Sequence, residues 1–222
     1  MKCARRYFQW QFAMADEYLG ARVVEVGCGL GNFTQYLVGR ELVVGIDSEP
    51  RCVESHRQRF AGRSNVHSAC LDVLSPDFLE LGRYEPISIT CLNVLEHVED
   101  DARALAHMNA VLPSGGTLVV IAPAFEALRG PIDEKLGHHR RYSKGNLTRA
   151  AQGAGFRLKV LRYMNMAGFF GWWFNARVLN KTQQSTAQIK IFDSCVVPPL
   201  AWIERRVEPP VGQSIFAVLV KL

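Results

Sequence analysis

The chain has 222 residues, 48% of them hydrophobic and 21% charged, with a formal net charge of +5. That composition belongs to a folded globular chain and excludes a disordered one. No uninterrupted apolar run approaches the ~18 residues of a membrane-spanning helix.

The net charge hides an asymmetry. Residues 1–134 carry twelve basic and eighteen acidic side chains, whereas residues 135–203 carry eleven basic and one acidic, Asp193. Such a split marks either a solvated basic face or a region turned toward an anionic partner. Six cysteines stand at positions 3, 28, 52, 70, 91 and 195 with no C-x-x-C pair. Neither a disulfide framework nor a zinc site is expected from that spacing, and no metal is assigned.

In chain order, residues 1–21 read as an N-terminal cap helix. They lack the apolar core of a secretory leader, so a cytoplasmic location is expected. Residues 23–26, 42–46, 66–69, 87–92 and 118–122 read as short strands, with helices over 33–37, 49–60 and 102–111. This alternation predicts an α/β fold with a parallel sheet. The third helix stops at Leu112-Pro113-Ser114-Gly115-Gly116, where proline and glycine turn the chain. Residues 22–123 form the expected core. Residues 124–155 follow as a loop and a helix over 143–154, capped by Ser143. Strands over 156–163 and 214–221 close the pattern. About 50 residues separate them, far more than a hairpin needs, so residues 164–213 read as an insertion in a single domain spanning 1–222.

Val23-Val24-Glu25-Val26-Gly27-Cys28-Gly29-Leu30-Gly31 runs from a strand into a glycine turn, and Thr34 opens a helix beyond it. Glycine lets the backbone take positive φ and lets a ligand approach without a Cβ in the way. Asp47, at the end of the second strand, stands where a ribose diol would sit. A dinucleotide site asks for G-x-G-x-x-G, but the spacing here is G-x-G-x-G, and the chain lacks a Tyr-x-x-x-Lys pair. Glu25, two residues before the first glycine, would repel a pyrophosphate and suit a ligand bearing an ammonium group. S-adenosylmethionine fits that charge pattern, and NAD does not.

The stretch resembles motif I of class I methyltransferases, and further landmarks follow in register over residues 22 to 123. Asp47 matches the acidic residue that meets the ribose hydroxyls, with Ser48 beside it. Asp72 and Val73 match the post-β3 position that meets the adenine. Cys91-Leu92-Asn93-Val94-Leu95-Glu96-His97-Val98 resembles the motif whose backbone lies beside the methionine part. The resemblance implies a Rossmann-like, seven-stranded, mostly parallel sheet with helices on both faces and an antiparallel last strand. It also implies S-adenosyl-L-methionine as cofactor, with Glu25, Gly27, Gly29, Gly31, Asp47, Ser48, Asp72, Val73, Asn93, Val94 and His97 as its contacts.

Gly137-His138-His139-Arg140-Arg141-Tyr142-Ser143 is the most chemically loaded stretch beyond these. A subset of bacterial methyltransferases carries a similar G-H-x-R-R-Y-S in this place. His138 or His139 is the expected general base for an acceptor hydroxyl, unless proximity alone suffices. Arg140, Arg141 and Tyr142 are the expected substrate contacts; in the alternative, the arginines pair with Asp133 and Glu134. The insertion carries Phe169, Phe170, Trp172, Trp173 and Phe174, then Arg177, Lys181, Lys190 and Trp202. Three readings of it stay open: a lid in which Trp172 and Trp173 touch substrate, a homodimer interface, or a peripheral membrane contact. The expected activity is methyl transfer, O-directed, to a small-molecule acceptor both apolar and anionic. No nucleic-acid module is recognisable. A cofactor-binding scaffold or regulator without turnover is the alternative.

Overall fold

The computed structural model describes residues 4–174 and 186–222. Its strands are β1 (Arg22–Val26), β2 (Leu42–Asp47), β3 (Val66–Cys70), β4 (Ser88–Leu92), β5 (Thr117–Pro123), β6 (Phe156–Met164) and β7 (Ser214–Lys221). They form one seven-stranded sheet in the order β3-β2-β1-β4-β5-β7-β6. The first five are parallel, and β7 runs antiparallel to both β5 and β6. The expected strands hold to within a residue or so at each end.

The central strands are apolar on both faces because helices cover both. Val24, Val44, Ile89 and Leu118 pack with Leu105, Met108 and Leu147 from α4 (Asp101–Val111) and α6 (Lys144–Gly153). Their sequence neighbours Val23, Val43 and Val119 face the other way. They meet Trp10 from α1 (Arg5–Ala15) and Leu37 from α2 (Thr34–Leu37). The helix α3 (Pro50–Arg59) starts at a proline that needs no amide donor, with Glu49 capping Arg51 N. Ser143 caps α6 as expected: its Oγ accepts from Asn146 N at 3.2 Å, and Asn146 Oδ1 accepts from Ser143 N at 2.7 Å. The short α5 (Pro131–Leu136) lies in the loop region, and Pro76–Tyr84 forms a 3₁₀ run that the periodicity does not reveal.

Between β6 and β7 the described part of the insertion is helical: α7 (Met166–Phe174), α8 (Thr186–Ile191), a π-helical turn over Phe192–Val196, and α9 (Val197–Glu204). Arg177 and Lys181 lie outside the described residues. Buried carboxylates fasten these pieces by capping exposed helix amides. Asp193 accepts from Arg6 N and Tyr7 N, at 3.1 and 2.8 Å, at the start of α1. Glu204 accepts from Asn165 N and Met166 N, both at 2.9 Å, at the start of α7. Among the described residues, no helix is long and apolar enough to cross a membrane.

One buried polar chain supports the turn after β1 from behind. Thr34 Oγ1 donates to Glu25 Oε2 at 2.6 Å and lies 2.9 Å from His56 Nε2, while His56 Nδ1 is 2.7 Å from Ser68 Oγ. Burial pushes the Glu25 carboxyl up to about 8 and holds His56 down at about 4. A carboxyl whose folded pKa is raised adds stability fully below its unfolded value and loses it as pH rises through the folded one. Glu25→Gln keeps an acceptor for Thr34 and removes this titration. Its stability relative to the native protein is therefore expected to improve by about 2 kcal/mol between pH 6.5 and 8. Urea unfolding of both proteins at the two pH values measures the difference. A difference that does not change with pH would mean that Glu25 is ionised inside the fold.

Candidate active site

The strand order reverses between β1 and β4, and the crevice at the carboxyl ends of those strands is where open α/β sheets bind ligands. The glycine turn fills that crevice. Gly27 N and Cys28 N both donate to Ile46 O at 2.8 Å, which ties the turn to the end of β2. Gly27 has φ +75°, and a Cβ there would collide with the Val94 side chain on the turn after β4. Gly29, at φ +51°, has nothing within 4 Å of where its Cβ would stand. The turn is therefore closed at one glycine and open at the next, as a backbone cradle requires.

Asp47 closes the cradle. Its Oδ2 accepts from Gly29 N and its Oδ1 from Glu49 N, both at 2.9 Å. Each carboxylate oxygen keeps a second lone pair for a ligand hydroxyl. Ser48 is exposed beside it. Glu25 departs from its expected place. It is 4% exposed and committed to Thr34, so it braces the turn rather than meeting a ligand's ammonium group.

On the opposite wall, Asn93 takes φ +55° and its N–H donates to Ile121 O at 2.7 Å, which swings the chain across the end of β5. Asn93 and Val94 are half-buried and His97 is exposed. Asp72 is also exposed, its Oδ1 accepting from Leu74 N at 2.7 Å. Val73 is buried, and its carbonyl lies 2.8 Å from His107 Nδ1. Of the pair, Asp72 is the exposed residue and Val73 the buried one. The neutral, backbone-rich cradle and the Asp47 carboxylate fit S-adenosylmethionine, which has a ribose diol and no phosphate.

The Gly137–Ser143 stretch behaves differently from its expected role. Arg141 is 2% exposed: its Nε and Nη2 donate to Asp133 at 2.9 and 3.0 Å, and its Nη1 donates to Ala124 O at 3.1 Å. Arg140 pairs with Asp101 at 2.6 Å and donates to Glu99 O. Tyr142 is 1% exposed with its hydroxyl donating to Asp101 Oδ2 at 2.7 Å. Arg141 and Tyr142 are buried and cannot turn to a substrate without losing these partners, whereas Arg140 is partly exposed beside its pair with Asp101. Trp172 likewise stacks over the Arg141 guanidinium at 5.0 Å.

His138 Nδ1 lies 2.8 Å from Asp133 Oδ1. Burial alone would push the Asp133 carboxyl up, but hydrogen bonds from His138 and Arg141 hold it down at about 2. The His138 ring meets His97 edge-on, with centroids 4.6 Å apart. His139 uses its backbone, donating from N to Glu96 O at 2.8 Å, and is exposed. Glu96 sits beneath the two rings, and burial pushes its carboxyl up to about 8. Residue spacing does not announce this convergence, because Glu96 and His138 approach only through the loop after β5.

That same loop lines an apolar hollow of about 420 Å³, walled by Phe125, Ala127, Leu128, Phe169 and Trp173. Phe125, at φ +60°, stacks on Tyr163 at 4.7 Å and meets Phe169 edge-on at 5.4 Å. Of the tryptophan pair, Trp173 lines the hollow. Phe125 and Leu128 are lining residues that the sequence reading missed; the only signal was an apolar pair just beyond β5.

Comparison with known proteins agrees with this geometry. Residues 6–160 match the family model described as a methyltransferase domain. An uncharacterized 37.1 kDa protein in transposon TN4556 of Streptomyces fradiae is 33% identical over 132 residues, 56% of this chain and 36% of that protein. The ubiquinone biosynthesis O-methyltransferase of Coxiella burnetii is 28% identical over 103 residues, 45% of this chain and 42% of the relative. The chain thus spans about two fifths of the length of these curated relatives. The N-methyltransferase NodS of Bradyrhizobium japonicum, solved with S-adenosyl-L-homocysteine, shares the fold at a TM-score of 0.59 and 16% identity, over 98% of this chain and 86% of NodS. With the family model covering well over half of its length, the chain belongs to the methyltransferase-domain family.

Proposed function

We propose that the protein transfers a methyl group from S-adenosylmethionine to an oxygen of a small, apolar acceptor. The observation that carries this reading is the presence of two unlike sites at the carboxyl ends of the parallel strands of one sheet. A backbone cradle closed by Asp47 follows β1 and β2, and an aromatic hollow follows β5. The cofactor supplies an electrophilic methyl on a sulfonium. The protein contributes position: Asp47 holds the ribose diol, Gly29 admits the ligand to the backbone, Asn93 and Val94 wall the other side, and the hollow holds the acceptor's body. Fixing two reactants in one geometry is itself a large part of catalysis.

The oxygen as target draws support from the name of the Coxiella relative, an O-methyltransferase. The anionic part of the expected acceptor is withdrawn, since Arg140 and Arg141 are spent on Asp101 and Asp133. The lid reading of the insertion is favoured over a dimer or membrane contact because Phe169 and Trp173 of α7 line the hollow.

Two measurements test the halves separately. Asp47→Ala is expected to weaken S-adenosylhomocysteine binding by about 1.5–3 kcal/mol, the scale of hydrogen bonds to a charged group. Calorimetry would read this as a tenfold or greater rise in Kd, and an unchanged Kd would place the ribose elsewhere. Phe169→Ala, assayed with radiolabelled methyl donor across phenols of increasing size, is expected to raise KM roughly tenfold for the large ones and little for the small. That effect should not depend on salt, because packing contacts are not screened. A uniform loss across all acceptors would remove the hollow from the acceptor site.

A further inference from the structure

One group of side chains lies beside the cofactor cradle and includes His97, which the resemblance places among the cofactor contacts. Glu96, His97 and His138 each offer one donor atom, and these atoms lie within 4.8 Å of one another. Glu96 is 1% exposed, and its Oε2 has no hydrogen-bond partner among the described residues. A buried polar oxygen without a partner is costly, and a cation that met it would supply one. The neighbouring guanidinium groups are committed elsewhere, Arg141 to Asp133 and Arg140 to Asp101.

His138 is already oriented from behind, held through Nδ1 by Asp133, which leaves Nε2 as its free nitrogen. An imidazole held on one side by a carboxylate or a carbonyl is the arrangement that fixes the tautomer and the aim of a metal ligand. His97 is exposed, so its ring is free to adjust as the donors draw together.

We propose that Glu96, His97 and His138 form a binding site for a divalent transition cation of the zinc class. Two imidazole nitrogens and one carboxylate oxygen suit such an ion, whereas magnesium and calcium ask for oxygen donors alone. Three protein donors leave a coordination position open. The site begins four residues beyond the end of β4, at the same end of the sheet as the hollow proposed for the acceptor. There the ion would hold an acceptor oxygen and favour its ionised form, the proton leaving to solvent. That role rests on the methyl-transfer reading; the binding of the ion does not. The site replaces three expectations, the absence of a metal, His138 as a general base and His97 as a cofactor contact, because a ligated imidazole nitrogen is not available for either other role.

The test uses chelator-stripped protein titrated with cobalt(II), followed by visible absorption, and with zinc(II), followed by calorimetry. One equivalent of each ion is expected to bind. His97→Ala should weaken it by more than about 100-fold, beyond the loss typical of removing an outer-shell partner. Because His97 is exposed, that variant should retain the fold, and thermal unfolding checks this. Glu96→Gln should weaken both ions as well. S-adenosylhomocysteine binding to the native, metal-free protein is measured in parallel. Cofactor binding without saturable cobalt or zinc binding overturns the metal site and leaves the methyltransferase reading standing. Metal binding lost in His97→Ala without cofactor binding does the reverse. Saturable binding that survives His97→Ala unchanged puts the ion elsewhere, at the cysteines for example, and also overturns the site.

Discussion

The ligand face depends on one buried carboxylate. Asp133 is fully enclosed, and it accepts from the Arg141 guanidinium, from His138 Nδ1 and from Gly130 N at once. A charge taken out of water must be compensated close by, and an Arg–carboxylate fork does so with fixed geometry. Because Arg141 also donates to Ala124 O, the pair locks the chain leaving β5 to the loop that returns before α6. His138 is thereby aimed at His97 and Glu96, and Trp172 is drawn onto the guanidinium from α7. Removing either partner would leave the other buried and uncompensated, at a cost of about 3–5 kcal/mol. The loop, the histidine and the lid helix would all lose their common anchor.

The same economy explains the charge split along the chain. In the basic stretch 135–203, the only acidic residue is Asp193, and it is buried with no ion pair among the described residues. It caps α1, nearly 190 residues earlier in the chain. The eleven basic residues around it read from sequence either as a solvated face or as one turned toward an anion. In the structure several are already engaged: Arg140 with Asp101, Arg141 with Asp133, Lys144 with Glu208 at 2.7 Å, and Arg162 with the Glu204 carbonyl. Charge imbalance over a segment therefore measures what that segment owes to the rest of the fold as much as what it offers a ligand.

Legibility followed the range of the interactions. The strands, the glycine turn, Asp47 and the Ser143 cap depend on neighbours a few residues away, so residue spacing carries them. Periodicity places the strands of the sheet to within a residue or so. The position of Asp47 beside Gly29 follows from two adjacent parallel strands ending together. The failures are long-range. Glu25 has the chemistry of a ligand contact, but only the tertiary approach of Thr34 and His56 shows that it lies behind the turn. Arg140 and Arg141 have equal chemical promise until Asp101 and Asp133 are seen to claim them. Phe125 owes its place in the hollow to a positive φ that no residue type announces.

The base of the insertion is itself a closed clasp. Asn165 Nδ2 donates to Gln213 Oε1 at 2.8 Å and Gln213 N donates back to Asn165 O at 3.0 Å, where β6 ends and β7 approaches. Because the two strands are already paired to that point, the sheet does not sense how much chain is strung between them. Lengthening a loop whose ends are pinned costs little, growing only with the logarithm of its length. The stretch from Met166 to Gly212 can therefore change in length without disturbing the strand pairing, provided that a replacement keeps what Asp193 gives to α1 and what Val197 and Leu200 give to the core.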